Sequence, residues 1–389
     1  MGVPVKKGGK GSKAAKPSQT QQVSAEDYFM EAEVAYFSDD IEGARAAFKR
    51  ALEIEPENEE FLNAYGTFLA ENGPREEALV MLQRAVDLFP NHGFEKYMYL
   101  GQVLDSADRT SEAETCMRRG IEILRKELGE LNDSHQGHPE LSGNAGDEAA
   151  EELADDREHL REALSSALCS LAELLMGAAA EAADDAEDED GAAAALAASP
   201  ALGECETLLG EARELWHLSP EPMQALCSLR RLQGREDDAL LMLRQSLALW
   251  YRPSHDGEGE QNPAHEGQQQ QSQQNQKPMD EDDEPSLPSY EFRFEAAKLL
   301  IELEETMETA ADVLEGLLQE NDTVPDVWLL LAVAYRAGGE LEAAADAAKE
   351  GASTARKLGY PTDHEVVAAL SELEAELGKL VVEGGERKK

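Results

Sequence analysis

Ala44-Arg45-Ala46-Ala47-Phe48-Lys49-Arg50-Ala51-Leu52-Glu53-Ile54-Glu55-Pro56 decides the fold, because its anchors come back further along the chain. Ala44, Phe48, Ala51 and Pro56 return as Ala78, Leu82, Ala85 and Pro90, each 34 positions on. Separations of three and four residues return to one helix face, so Leu62, Tyr65 and Leu69 form a stripe on the helix between the two copies. Small residues at Gly66, Ala78 and Ala85 let paired helices approach closely, and Pro56 and Pro90 end the second helix of each pair. A helix pair of this kind cannot bury both of its faces alone. It must stack on further copies, and the reading is all-α.

Further copies are present. A third unit uses Tyr97, Leu100-Gly101, Leu104, Ala113, Met117 and Gly120, and a fourth uses Leu168, Leu171-Ala172 and Leu175 followed, after a delay, by Cys205, Leu209 and Ala212. Met223, Leu226, Ala239, Leu243 and Trp250 mark a fifth, and Phe294, Ala297, Ile301, Ala310, Leu314 and Leu317 a sixth. Trp328, Leu331-Ala332, Tyr335, Ala344, Ala348 and Gly351 mark a seventh. This pattern resembles the tetratricopeptide repeat, W-x2-L-G-x2-Y followed by A-x3-F, A and P. The resemblance implies a solenoid of about seven helix pairs plus a C-terminal capping helix, wound as a right-handed superhelix with disordered insertions.

The expected organisation is a disordered basic tail at 1–23, repeats one to three at 24–131, a flexible insertion at 132–150 and repeats four and five at 151–251 with an acidic insertion at 178–200. A disordered Gln-rich and acidic insertion follows at 252–288, since such composition cannot bury enough apolar surface to order itself. Repeats six and seven occupy 289–361, a capping helix starting from Thr362 or Asp363 occupies 362–380, and 381–389 is a disordered tail.

Thirty-five Lys and Arg stand against 81 Asp and Glu, a net charge of −46. Such an excess repels phosphate and anionic lipid, so neither nucleic acid nor a membrane is expected as a direct partner. A polycation is the natural ligand. The 41% hydrophobic and 5% aromatic content suits an Ala/Leu/Glu helical protein. Residues Met1 to Gly8 offer no signal-peptide core, and the longest apolar run, Val327 to Tyr335, is too short to cross a bilayer. Cys116, Cys169, Cys205 and Cys227 are scattered, as reduced thiols on helices would be.

Catalytic motifs are missing: there is no G-x-S-x-G, no H-E-x-x-H and no G-x-G-x-x-G between a strand and a helix. His135 and His138 make an H-x2-H pair with no further ligand at zinc spacing. No catalytic residue, cofactor or metal is expected. Lys6, Lys7, Lys10, Lys13 and Lys16 form a basic tail with no acid before Glu26. It suits a solvated tail, an import signal, or a contact with RNA or the chain's own acidic surface.

First helices of such a solenoid line its concave groove. Aligning the units on their anchors places Phe29, Glu33, Tyr36, Glu60, Asn63, Glu95, Tyr99, Gln102, Asp105, Glu173, Glu295, Glu302 and Asp326 on or near it. Carboxylates interleaved with tyrosines suit a Lys/Arg-rich segment, through salt bridges and cation–π contacts. Cochaperones of this repeat class that hold acidic chaperone tails place Lys and Asn on these positions. Here Phe29, Glu33, Glu95 and Tyr99 stand there, so an acidic peptide would be repelled.

Three further features go beyond the generic repeat: His92-Gly93-Phe94-Glu95-Lys96-Tyr97-Met98-Tyr99-Leu100-Gly101-Gln102, the acidic insertions between later units, and Gly359-Tyr360-Pro361 before an acidic final helix. In these the chain resembles the fungal assembly chaperones dedicated to large-subunit ribosomal protein four. The resemblance implies a non-catalytic chaperone of cytoplasm and nucleus. Such a protein holds a newly made basic ribosomal protein soluble, shields its unfolded internal loop, reaches a nuclear import receptor through that client, and delivers it to the pre-ribosome. A scaffold subunit of a multi-protein complex and a histone chaperone fit the same charge and repeat pattern.

Overall fold

The computed structural model describes residues 23–136, 144–184, 188–253 and 287–387, in which every regular element is a helix. The chain divides into two compact units, one ending at Asp108 and one beginning at Arg109. The expected basic tail and the Gln-rich insertion lie almost entirely outside the described residues.

The first unit holds α1 (Ala25–Phe37), α2 (Ile41–Ile54), α3 (Glu59–Asn72), α4 (Arg75–Leu88) and α5 (Glu95–Asp105). Ser24 starts α1 with a capping box: its Oγ accepts from the Asp27 backbone N–H at 3.1 Å, while Asp27 Oδ2 accepts from the Ser24 N–H at 2.9 Å. Asp40 and Asn58 cap α2 and α3 by accepting from Gly43 N–H and Phe61 N–H. Between these helices the core is aromatic. Phe29 stacks on Phe61 at 4.7 Å, and Phe48 lies 5.5 Å from Tyr65 and 5.4 Å from Phe68.

The second unit holds α6 (Thr110–Gln136), α7 (Asn144–Asp184), α8 (Glu189–Ala198), α9 (Pro200–Leu215), α10 (Glu221–Leu232), α11 (Glu236–Trp250), α12 (Tyr290–Glu302), α13 (Met307–Glu320), α14 (Pro325–Gly338), α15 (Leu341–Lys357) and α16 (Glu365–Arg387). Helix α7 packs against α6, α9 and α10, and consecutive pairs follow to α16, which covers α14 and α15 with Leu370, Leu373 and Leu377. Part of α7, Leu153–Asp184, is long and apolar enough to suit a bilayer, but 56% of its most apolar window is buried within the unit, which accounts for that character.

One small position repeats through both units. Ala44, Ala78, Ala113, Cys205, Ala239, Ala310 and Ala344 are all 0% exposed. Four residues on stand Phe48, Leu82, Met117, Leu209, Leu243, Leu314 and Ala348, and three further on Ala51, Ala85, Gly120, Ala212, Ser246, Leu317 and Gly351, every one buried. Ser246, the polar member, donates its hydroxyl to the Pro220 carbonyl at 3.1 Å and so leaves nothing unsatisfied. Arginines on second helices then staple neighbouring pairs. Arg45 meets Glu77, and Arg118 and Arg125 reach Glu204 and Glu211 with two N–H groups each. The last two staples are spaced by seven residues on both α6 and α9, so the long insertion between these helices leaves their register intact.

Four sequence expectations need correction. The insertion expected at 132–150 is helical to Gln136 and again from Asn144, and within the acidic run expected at 178–200 residues 178–184 end α7 and residues 189–198 form α8. Alanine is the strongest helix former, so Ala178-Ala179-Ala180 and Ala192 to Ala195 extend helices despite their acidic neighbours. The capping helix begins at Glu365, after a turn in which Tyr360 packs edge-on against His364 at 4.7 Å, and it continues through 381–387, where a disordered tail was expected.

A Cβ at Gly351 would lie 2.6 Å from Trp328 Cβ and 2.9 Å from Leu370 Cδ2, so three helices meet at that glycine. Gly351→Ala would gain about 1 kcal/mol of helix propensity but lose about 1–3 kcal/mol to overpacking. The expected result is a lower urea midpoint. An equal or higher midpoint would show that the close approach is not required.

Candidate functional site

In the first unit, residues from three first helices converge. Glu71, at the end of α3, accepts from Tyr36 Oη of α1 at 2.6 Å on one carboxylate oxygen and from Tyr99 Oη of α5 at 3.1 Å on the other. The Tyr36 ring sits edge-on to Phe68 at 5.6 Å, which aims its hydroxyl along the face. Hydrogen bonding to Glu71, and then burial, raise the Tyr36 pKa. Burial, then the Glu71 charge, push Tyr99 up to about 12. Both phenols therefore stay protonated donors to Glu71. Glu33, Glu60, Glu95, Gln102 and Asp105 are exposed, while Asn63 is half-buried.

Phe29 is corrected: it lies in the aromatic core, where its stacking on Phe61 removes it from the surface. Lys96 lies within the segment that carries the family resemblance, and it is buried. Its ammonium donates to Glu59 Oε1 at 3.3 Å and to the His92 carbonyl, with the Phe89 ring 5.9 Å away. That lysine ties α5 to the start of α3.

In the second unit, α7, α10 and α12 enclose a cavity of about 490 Å3. Glu173 from α7, Glu221 from α10, and Glu291 and Glu295 from α12 line it together with Gln224, Met176, Phe292 and Leu299, and none of the lining residues is basic. Glu173 is exposed by area, opening into the cavity, yet protein surrounds it on the other sides. Desolvation, and then the charges of Glu221 and Glu295, raise its pKa to about 7. Glu221 is raised as well, by burial first, with a hydrogen bond from Ser166 opposing and Glu162 adding to the shift. Cys169 is buried in the same wall and its thiol is pushed up by burial, so it is not a reactive thiolate.

The structure thus brings Glu173 and Glu295 together. Glu302 pairs with Arg231 instead, and Asp326 sits half-buried in the first turn of α14. Glu71, Glu221, Gln224 and Glu291 escaped the sequence reading. Carrying the repeat alignment into the fifth unit, one turn either side of Met223, would have found Glu221 and Gln224. Among the described residues no group of three or more His, Cys, Asp or Glu side chains is arranged to hold a metal ion.

The family model for YpiA-like, C-terminal tetratricopeptide repeats matches residues 28–92. With the buried repeat positions, it supports an all-α solenoid of the tetratricopeptide-repeat fold class. Within that class the chain is similar to two proteins described as a probable assembly chaperone of rpl4. The one from Emericella nidulans is 32% identical over 126 residues, covering 32% of this chain and 26% of that protein. The one from Schizosaccharomyces pombe is 24% identical over 250 residues, covering 64% of this chain and 54% of that protein. The matches therefore span about a quarter and about half of those relatives' own lengths. A solved structure of an assembly chaperone of RpL4, Acl4 residues 1–338, superposes with a TM-score of 0.56 at 24% identity, over 83% of this chain and 100% of that one. It shows the same solenoid fold.

The raised pKa of Glu173 has a signed consequence. The folded chain holds this proton more tightly than the unfolded chain, whose Glu titrates near about 4.3. Stability from this group is full below that value, is lost as pH climbs to about 7, and is constant above. Glu173→Gln cannot ionise, so its melting temperature should rise relative to wild type across that window and then run parallel. A difference independent of pH would mean that the carboxyl is unperturbed.

Proposed function

We propose that this chain is a non-catalytic chaperone that captures a newly made, basic large-subunit ribosomal protein, ribosomal protein four. It would hold that protein soluble and deliver it to the nuclear pre-ribosome. The observation that carries this reading is the carboxylate-lined first-helix surface, above all the cavity of the second unit with four glutamates and no basic lining residue. The similarity to two probable assembly chaperones of rpl4 supports rpl4 as the client.

The mechanism is substitution. Extensions of ribosomal proteins are polycationic and lack structure away from RNA, so they aggregate or bind the wrong polyanion. First-helix carboxylates offer charge in place of phosphate, and the phenols of Tyr36 and Tyr99, whose O–H groups go to Glu71, offer oxygen lone pairs and ring faces beside it. Each exposed ion pair is worth about 0–1 kcal/mol, so capture is collective and reversible. Ribosomal RNA, a denser polyanion, then displaces the chaperone. The chaperone would work in cytoplasm and nucleus, with the import receptor reached through the client.

Capture of purified rpl4 by the chain should be strong at low salt and fall at least tenfold at about 0.5 M, where the Debye length shrinks to a few Å. Glu33→Lys, Glu95→Lys and Asp105→Lys combined should weaken it by about tenfold or more, since three attractions become three repulsions. Indifference to salt would overturn the electrostatic mechanism. Displacement of rpl4 by equimolar core histones would favour a histone chaperone, and stoichiometric retention in a mature complex would favour a scaffold.

A further inference from the structure

The cavity walled by α7, α10 and α12 has a feature beyond its charge. Gln224 is 8% exposed, and its Nε2 donates to the Phe292 carbonyl oxygen at 3.0 Å. That bond fixes which end of the carboxamide points where, and it leaves Oε1 buried with no hydrogen-bond partner. A buried acceptor left unmet costs about 1–3 kcal/mol, so the wall is short of a donor. Glu173 and Glu221 are short of positive charge. The cation next to this wall on α12, Lys298, is held by Glu295 at 2.9 Å and does not line the cavity. The crowding that raises Glu173 and Glu221 is what carboxylates without a counter-charge display. Met176, Phe292 and Leu299 complete the wall with apolar surface, against which a methylene stem can lie.

We propose that this cavity is a binding site for one arginine side chain inserted from a bound polypeptide, its guanidinium between Glu173 and Glu221 with an N–H on Gln224 Oε1. The volume, about 490 Å3, falls in the range of small-ligand pockets, ~300–1,000 Å3. Arginine fits better than lysine. Its planar fork carries five donors, enough to span two carboxylates and still reach the amide oxygen, whereas an ammonium has three on a single point. The inference rests on the proposed function for the identity of the inserting chain, and not for the chemistry of the cavity.

The test uses the full chain labelled with 13C at its methionine methyls. The probe is N-acetyl-arginine methylamide, titrated to about 50 mM, where even a millimolar site saturates. The Met176 methyl signal should shift saturably while Met81, in the first unit, stays still. The citrulline analogue, equal in shape and neutral, should bind at least tenfold more weakly, and the lysine analogue more weakly than arginine. Glu173→Gln with Glu221→Gln should abolish the response without lowering the melting temperature, since it relieves like-charge crowding. Gln224→Met should weaken arginine several-fold and leave the lysine response nearly unchanged. No saturable Met176 shift, an equal response to citrulline, or an unaltered response in the double variant would overturn the site. Capture of rpl4 by the wild-type chain is read separately and bears only on the proposed function: its absence overturns that reading while the Met176 response still decides the cavity.

Discussion

Everything in this molecule depends on how closely two helices can pass. At the small position that recurs from Ala44 to Ala344, second helices press against their partners with no room for more than a methyl or a thiol. Close approach brings the large residues one turn away, Phe48, Leu82 and their equivalents, into full contact. Dispersion is weak per atom pair and becomes substantial only when many atoms touch. Packing of this kind fixes the angle and spacing of each pair, and so fixes which side chains of first helices can meet across successive repeats. The Glu71 bridge between Tyr36 and Tyr99, and the cavity around Glu173, follow from that spacing.

The two carboxylate clusters differ in electrostatic character. Glu71 is satisfied, holding two phenol donors whose ionisation its own charge suppresses. Glu173 and Glu221 face one another with little to balance them, and the crowding shows as proton affinity. A satisfied carboxylate organises a surface; an unsatisfied one makes it avid. The first unit thus presents a rigid, polar floor, and the second a charged cavity.

The repeat was legible because packing writes it directly: a small residue, a large one four later and a small one three later can be seen without coordinates. Helix propensity in 178–198 was harder to read, since an alternation of Ala with Asp and Glu suits both a solvated insertion and a helix, and only helix α7 continuing past Gly177 decides between them. Phe29 was misplaced because first-helix residues facing the groove and facing the core are only one or two positions apart, and ring stacking with Phe61 settles the matter. The cavity could not be read at all as a unit. Its walls come from segments far apart in the chain, 166–176, 221–228 and 291–299, and the amide that matters is defined by a bond to a distant carbonyl.

The arginine staples have a consequence for the solution around the protein. Arg45, Arg118, Arg125 and Arg244 already hold carboxylates on neighbouring elements, and Arg293 holds Glu320 with two N–H groups. Cations committed to architecture cannot neutralise the surplus of −46, so dissolved potassium and magnesium must gather against the surface instead. A bound polycation would send those ions back to bulk. Part of the drive toward association then belongs to the entropy of the ions set free, and to no contact between the two chains.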